Sequence, residues 1–272
     1  MTKTNKLLFK IVLTAIFTAL SFSLTFVSVP LPTGAKVHLG NFVLVVAALL
    51  FGGLVGGASG GLGMMFNDIA LGFPTTTVVR TLIVKFIFGL VVGVLFRLFI
   101  KRNKTTRIVL YSTTAIFIIL SIVTIVLFAN ANNYKDANAL FDIGYKNPVK
   151  MSVLVPIFAS VFAVLLTVAS AFSFKLSDIN VSVLTVTTLG VVVNTLLEFF
   201  IRILFNGIAT SNFYTAYLES VSKIPSNLIT GVLTIILATA LFLPVYNGLK
   251  NEKKFKEVSN IGVIEDSDDY IE

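Results

Sequence analysis

The residues best suited to chemistry in this sequence are a few polar and ionisable side chains that interrupt long apolar stretches. Such side chains are costly inside a bilayer, so they usually mark a functional site. Charged groups supply ionic contacts, and asparagine offers both hydrogen-bond donors and acceptors, so together they could bind a polar solute. The candidate binding residues are His38, Asn41, Asp68, Arg80, Lys85, Asn194, Glu198 and Asn227.

Some of these side chains have a purely structural alternative. Arg202 follows Glu198 by four residues, so the two could pair on one helix face. Lys85 could extend its ammonium group toward the membrane surface. An aromatic wall for a ligand could come from Phe73, Phe199 or Tyr214.

The sequence contains no pattern typical of catalysis or of a metal centre. It has no Cys and one His, which excludes thiolate and multi-His metal sites. No Lys-Ser or Lys-Thr pair follows the glycine-rich segment, so a phosphate-binding loop is not predicted. We therefore expect no enzyme activity, no cofactor and no metal.

The composition indicates an integral membrane protein. Of 272 residues, 56% are hydrophobic and 12% are charged, against roughly a quarter charged in soluble chains. A helix needs about 20 mostly apolar residues to cross a bilayer. The first apolar stretch lacks a small-residue cleavage site and is interpreted as a retained helix. The predicted spans are residues 7–29, 39–55, 57–71, 78–100, 108–129, 151–172, 181–205 and 227–246.

The distribution of basic residues predicts the orientation. With the N-terminus inside, the cytoplasmic segments hold twelve Lys and Arg residues and the outer segments five, which follows the positive-inside rule. Both termini are then cytoplasmic, and the charged tail from residue 251 is expected to be disordered. The net charge of +8 comes from clusters flanking apolar runs, so it indicates membrane flanks and not nucleic-acid binding.

In this topology the candidate binding residues share one depth. They lie below the outer surface, on five or six different spans. The inner halves of the spans hold only one ionisable residue, Arg97, which lies near the inner end of its span. This asymmetry predicts a polar pocket that opens outward.

Small residues form a second pattern. Gly52, Gly56 and Gly60 make one four-residue repeat, and residues 53, 57 and 61 make another. Small residues at this spacing allow close helix packing, so a tight hairpin is expected. Ala15 and Ala19 form an Ala-x-x-x-Ala motif on the first span, for which internal packing is the simplest explanation.

Four stretches, in this order, resemble the substrate-binding S components of energy-coupling factor (ECF) vitamin transporters. The likeness over residues 11–100 is to the subgroup with pyridoxine, hydroxymethylpyrimidine and thiazole carriers, which is related to riboflavin S components. The stretches are the Ala15–Ala19 motif after a basic N-terminus, residues 37–41 with 47–52, residues 60–63 running to 67–74 and 81–89, and residues 224–228.

The resemblance implies a bundle of six core helices with two extra spans. The implied divisions are residues 1–100 and 181–249 for the core, 101–180 for an added two-span segment, and 250–272 for a charged cytoplasmic tail. The chain is thus expected to be an all-α membrane protein of about eight spans in a bacterial-type cell membrane.

The resemblance also implies function and partners. The protein would bind a vitamin-like ligand from outside, with residues 28–37 as a lid. It would dock on a membrane T subunit through Ala15 and Ala19, and two cytoplasmic ATPases would drive transport. A stand-alone secondary transporter is the alternative, although we find no internal repeat and few charges in the inner half.

Overall fold

The computed structural model describes residues 1–30, 36–131 and 148–260, which form mostly helices and one short antiparallel ribbon. The first helix begins after Thr2, whose hydroxyl accepts a hydrogen bond from the Asn5 backbone N–H at 3.2 Å. In chain order the elements are α1 Lys3–Phe26, β1 Ser28–Pro30, β2 Lys36–His38, α2 Gly40–Phe51, α3 Gly53–Ala70, α4 Thr75–Phe99, α5 Asn103–Ala131, α6 Pro148–Phe172, the 3₁₀ turn Ser173–Lys175, α7 Asp178–Thr210, α8 Phe213–Leu249 and α9 Lys253–Val258.

This architecture is an all-α membrane protein, as the composition predicted. Within the described residues, helices α1, α4, α5, α7 and α8 are long and apolar enough to cross a bilayer. Helix α2 and the end of α6 are shorter apolar helices. The number of crossings, expected to be eight, stays a prediction, as does the side of the membrane on which the termini lie.

The boundary between the second and third predicted spans differs from the expectation. Gly52 has a φ of +97°, a conformation that disfavours other residues, and it ends α2 and starts α3. The glycine-rich helix α3 is therefore the longer of the two, with 18 residues, and α2 has only 12. Twelve residues extend about 18 Å, which is well short of a hydrocarbon core of about 30 Å.

The two glycine repeats of α3 contact different neighbours. Gly56 packs against Ala48 of α2, and a Cβ at Gly60 would meet Leu44, so α2 and α3 form an antiparallel hairpin. The other repeat faces α4, where Gly57 lies against the backbone of Phe86. Since glycine has no side chain, the three backbones approach closely, as the spacing predicted.

The apolar core lies where α2, α4, α7 and α8 meet. Phe88 and Val92 of α4 are fully buried there, and they contact α7 at Gly190. Helix α8 packs against α7 at Gly231, which lies against Val191. These contacts fix the rotation of each helix, and therefore which of its side chains face the interior.

Helices α5 and α6 form a separate antiparallel pair on the side of α7 and α8. Hydroxyl groups join them, with 2.7 Å between Thr114 Oγ1 and Ser170 Oγ and 3.1 Å between Tyr111 Oη and Ser173 Oγ. Such interhelical hydrogen bonds are typical of membrane helices. This pair corresponds to the segment that we expected to be an addition to the core.

The last two long helices extend beyond the predicted spans. Helix α8 begins after Asn212, whose side chain accepts a hydrogen bond from the Thr215 N–H at 3.0 Å. The expectation that Asn227 opens this span was therefore wrong, because the helix continues through Pro225. Proline removes only one helical hydrogen bond, and packing by neighbouring helices compensates for its loss.

The two ends of the described chain meet at one end of the bundle. The N-terminal ammonium of Met1 contacts Glu257 of α9. Residues 253–258, expected to be disordered, form a helix because Phe255 and Val258 are buried, and the Phe255 ring lies 5.7 Å from that of Phe51. We call this the terminal end of the bundle.

Candidate ligand-binding site

A polar cavity of about 180 Å³ lies at the opposite end of the bundle, which we call the cavity end. Its walls come from the end of α1, strand β2, the start of α2, the end of α3, the start of α4, and the facing parts of α7 and α8. Seven of the eight predicted binding residues line it. These are His38, Asn41, Asp68, Arg80, Lys85, Glu198 and Asn227.

The antiparallel packing of α3 on α4 brings Asp68 to one wall of the cavity. There the Thr81 hydroxyl donates a hydrogen bond to Asp68 Oδ2 at 2.5 Å. Thr81 was not among the predicted residues, although it lies four residues before Lys85 on the same helix face. Helical spacing from a known candidate was the signal that could have found it.

Glu198 is the centre of a buried ionic network between α4 and α7. Its Oε1 lies 3.2 Å from Lys85 Nζ, and its Oε2 lies 3.3 Å from Arg202 Nη2. Lys85 also donates a hydrogen bond to Asn194 Oδ1 at 2.9 Å. The expected pairing of Glu198 with Arg202 is present, and the same carboxylate also accepts from Lys85, a pairing that was not predicted.

Asn194 differs from the other seven predicted residues, because it is not among those that line the cavity. It is buried and holds the Lys85 ammonium group in place from the neighbouring helix. Its role in this structure is to position a cavity residue.

Arg80 lies on a second polar chain that leads from the cavity to its rim. Its Nη1 donates to Asn206 Oδ1 at 3.1 Å, and Asn206 Nδ2 donates to Glu219 Oε2 at 2.7 Å. Glu219 also lies 3.7 Å from Arg202 Nη1. Asn206 and Glu219 were not predicted, because both lie outside the predicted apolar spans.

His38 lies in the ribbon that precedes α2. Its Nδ1 accepts a hydrogen bond from the Gly40 backbone N–H at 3.2 Å. Burial, and then the positive charge of Lys85, lower the pKa of His38 to about 4. The imidazole is therefore neutral near pH 7, which leaves Nδ1 able to accept this bond.

The expected lid corresponds in part to the β1–β2 ribbon, in which Ser28 pairs with His38 and Pro30 with Lys36. The Lys36 ammonium lies 5.5 Å from the centre of the Phe73 ring, so the ribbon touches the opposite wall of the cavity. Residues 31–35 of the predicted lid lie outside the described residues. Movement of this segment stays a prediction.

Helix α8 contributes more polar groups than the sequence predicted. Lys223, Ser226 and Thr230 line the cavity together with Asn227. Their spacing of three and four residues places them on one face, and this pattern could have identified them. Asn227 therefore reaches the cavity from inside a helix.

One of the three proposed aromatic residues lines the cavity, namely Phe73. Phe199 packs on Tyr217, with 6.1 Å between ring centres, and Tyr214 is 68% exposed. Neither belongs to the described lining of the cavity.

Comparison with known proteins gives one family. The model of the family described as "ECF-type riboflavin transporter, S component" matches residues 6–166, more than half of the chain. The matched range continues through α5 and much of α6. The division into a core and an added segment at 101–180 stays a prediction. No curated protein and no solved structure matches the chain.

Proposed function

The chain belongs to the family of ECF-type riboflavin transporter S components, and we propose that it binds a small water-soluble vitamin or vitamin precursor with high affinity for import. Membership makes it a multi-pass membrane protein and a substrate-binding subunit of an ECF importer, which is not an enzyme family. The identity of the ligand and of the partner subunits belongs to the proposal.

The observation that carries this proposal is the position of the cavity. It collects charged side chains from α3, α4 and α7 at one end of an otherwise apolar bundle. Ionisable groups inside a membrane protein are expensive, and their convergence on one small space supports a binding site for a polar ligand. The ribbon over the cavity supports the proposed lid.

The size of the cavity favours the smaller of the candidate ligands. A volume of about 180 Å³ is below the roughly 300–1,000 Å³ that is usual for pockets of drug-sized molecules. One-ring compounds such as pyridoxine, or a thiazole or pyrimidine precursor, suit this space better than the three-ring riboflavin.

The proposed docking face for a T subunit is an apolar groove between α1 and α3. Ala15 and Ala19 are exposed and line it together with Phe22, Leu62 and Phe66. Small residues in an exposed apolar groove would let a partner helix approach closely. Two cytoplasmic ATPases would then act through that T subunit.

Two measurements test the proposed function. First, the full chain purified in detergent is titrated with riboflavin, pyridoxine, and the thiazole and hydroxymethylpyrimidine precursors, and compounds retained through purification are identified by mass spectrometry. We expect one small heterocycle to bind. Second, vesicles containing the chain alone are compared with vesicles that also hold the T subunit and ATPases. Uptake by the chain alone would contradict the proposal and favour a secondary transporter.

The docking face is tested by Ala19→Trp. The indole would fill the groove, so we expect loss of co-purification with the T subunit while ligand affinity is unchanged. Ile16→Trp is the matched control, since Ile16 is also exposed on α1 but is not among the described lining of the groove. If Ala19→Trp co-purified with the T subunit as well as Ile16→Trp does, this docking face would be refuted.

A further inference from the structure

We propose that the ligand carries an anionic group, a carboxylate or a phosphate, that binds Arg80 in the cavity. This inference rests on the proposed function and specifies the chemical class of its substrate. It depends on three features of the cavity: its charge balance, the surroundings of Arg80, and the polar atoms left without partners.

The first feature is an excess of positive charge. Two carboxylates, Asp68 and Glu198, line the cavity, and His38 is neutral near pH 7. If Glu219 at the rim is counted as a third carboxylate, the cationic side chains still outnumber the carboxylates. The five cationic side chains that line the cavity are Lys36, Arg80, Lys85, Arg202 and Lys223.

The second feature is the position of Arg80 within this excess. Lys85 and Arg202 both pair with Glu198, and Asp68 accepts from the Thr81 hydroxyl. Arg80 is only 3% exposed, yet its described hydrogen bond goes to the neutral amide of Asn206. In the part of the chain that the structure describes, no carboxylate forms an ion pair with Arg80.

The carboxylates of Asp68, Glu198 and Glu219 act on Arg80 only from beyond ion-pair distance, and Arg202 opposes them, so this buried guanidinium favours an anion in direct contact. The Nε of Arg80 is buried and has no hydrogen-bond partner among the described residues. A guanidinium presents donors in a planar fork that matches a carboxylate or a phosphate. A neutral ligand would leave Arg80 without a direct anionic contact.

The third feature is a pair of amide atoms on the same cavity. Asn67 Nδ2 and Asn41 Oδ1 are buried without partners in the described structure, and their residues are 2% and 3% exposed. They offer the ligand one further donor and one acceptor. Phe73 and Leu71 supply an apolar surface for a ring. The complementary molecule is a small heterocycle with one acidic group and one ring N–H or hydroxyl.

The test uses pairs of probes that differ in one acidic group. The wild-type chain is titrated calorimetrically with nicotinate and nicotinamide, with pyridoxine phosphate and pyridoxine, and with riboflavin phosphate and riboflavin. The first pair tests a carboxylate and the other two test a phosphate. We expect the anionic member of at least one pair to bind at least about tenfold more tightly than its neutral partner.

Arg80→Gln removes the charge and keeps an amide donor on a shorter side chain. We expect it to weaken binding of the preferred anion by at least about tenfold and to change binding of the neutral partner by less than about twofold. Retained binding of the neutral partner also shows that the variant is folded. Lys250→Gln, an exposed change at the terminal end, is the control that should leave both affinities unchanged.

The outcomes separate the two proposals. Binding of a neutral member as tight as that of its anionic partner in every pair overturns the inference and leaves the proposed function standing. Unchanged anion affinity in Arg80→Gln likewise overturns the inference. If no compound in any pair binds while a thiazole or hydroxymethylpyrimidine precursor does, the inference fails and the proposed function stands. If none of these compounds binds to the wild-type chain, both fail.

Discussion

The cavity end and the terminal end of the bundle are held together by different interactions. Eight ionisable side chains surround a small polar space at the cavity end. Toward the terminal end, the glycines of α3 pack against neighbouring backbones, and aromatic rings such as Phe96 and Phe242 meet edge to face with 5.5 Å between their centres.

This difference separates two requirements of the molecule. Each buried charge at the cavity end needs a partner, so removal of one leaves another uncompensated. Packing of glycines and aromatic rings depends on complementary shapes and not on charge. A change there should therefore lower stability before it lowers ligand affinity. The predictions below test whether the two ends can be altered independently.

The largest effect is expected from Glu198→Gln at the cavity end. It removes the shared partner of Lys85 and Arg202, so the buried Lys85 loses its described ion pair and Arg202 keeps only its contact with Glu219 at 3.7 Å. Breaking a buried ion pair costs about 3–5 kcal/mol of stability. We expect the disturbed network to lower ligand affinity by about a hundredfold, which corresponds to about 2.7 kcal/mol of binding free energy. Binding is measured by calorimetric titration of the purified protein.

The same substitution at Glu252, which is exposed at the terminal end, is the control and should leave ligand affinity unchanged. Lys85→Met is a second test of the network. Wild-type affinity in both Glu198→Gln and Lys85→Met would refute the cavity as the ligand site.

A smaller effect, on stability and not on binding, is expected from Gly57→Ala. The added Cβ would lie 2.5 Å from the backbone oxygen of Phe86, so α3 and α4 would have to separate. Overpacking of this kind costs typically 1–3 kcal/mol, which we expect as a decrease in the free energy of unfolding. Thermal unfolding in detergent measures it.

Gly248→Ala is the matched control, because no described atom lies within 4 Å of the added Cβ. It should leave the protein equally stable or slightly more so, since alanine favours helix. A loss of stability equal to that of Gly57→Ala would show that the glycine contacts between α3 and α4 are not specific.

The third effect is a dependence of stability on pH that arises at the cavity end. The folded protein lowers the pKa of His38 to about 4, below its unfolded value of about 6.5. Between these values the unfolded state binds more protons, so the free energy of unfolding should fall as the pH decreases from about 6.5 toward about 4.5. His38→Gln should make this slope shallower, as measured by thermal unfolding across the pH range. An identical slope in the variant would contradict this assignment.

Much of the fold followed from local sequence features. Long apolar segments identified the membrane helices, and the glycine spacing of α3 predicted its close packing. Helix ends were less predictable, because Gly52 ends α2 through its backbone conformation and α8 continues through Pro225. The helix at residues 253–258 was missed because a few apolar residues, among them Phe255, find a surface to cover only in the folded molecule.

The candidate site shows a similar division. Costly polar residues such as Asp68 and Lys85 were recognisable because a bilayer disfavours them wherever they point. Thr81 was missed because a threonine within a helix carries little such cost, and Asn67 was left out although three other asparagines were selected. Only the packing partner reveals their part in the cavity.

The sequence by itself determined that this chain lies in a membrane and that its backbones can pack closely at glycine, and it predicted that the polar residues within its apolar stretches share one depth. Those properties depend on residue type and spacing along a single helix. The tertiary structure decided which cations Glu198 pairs with, and that Arg80 has no anionic partner in the described part of the chain. Pairing depends on how each helix is rotated against its neighbours, and that rotation is set by contacts between residues far apart in the sequence.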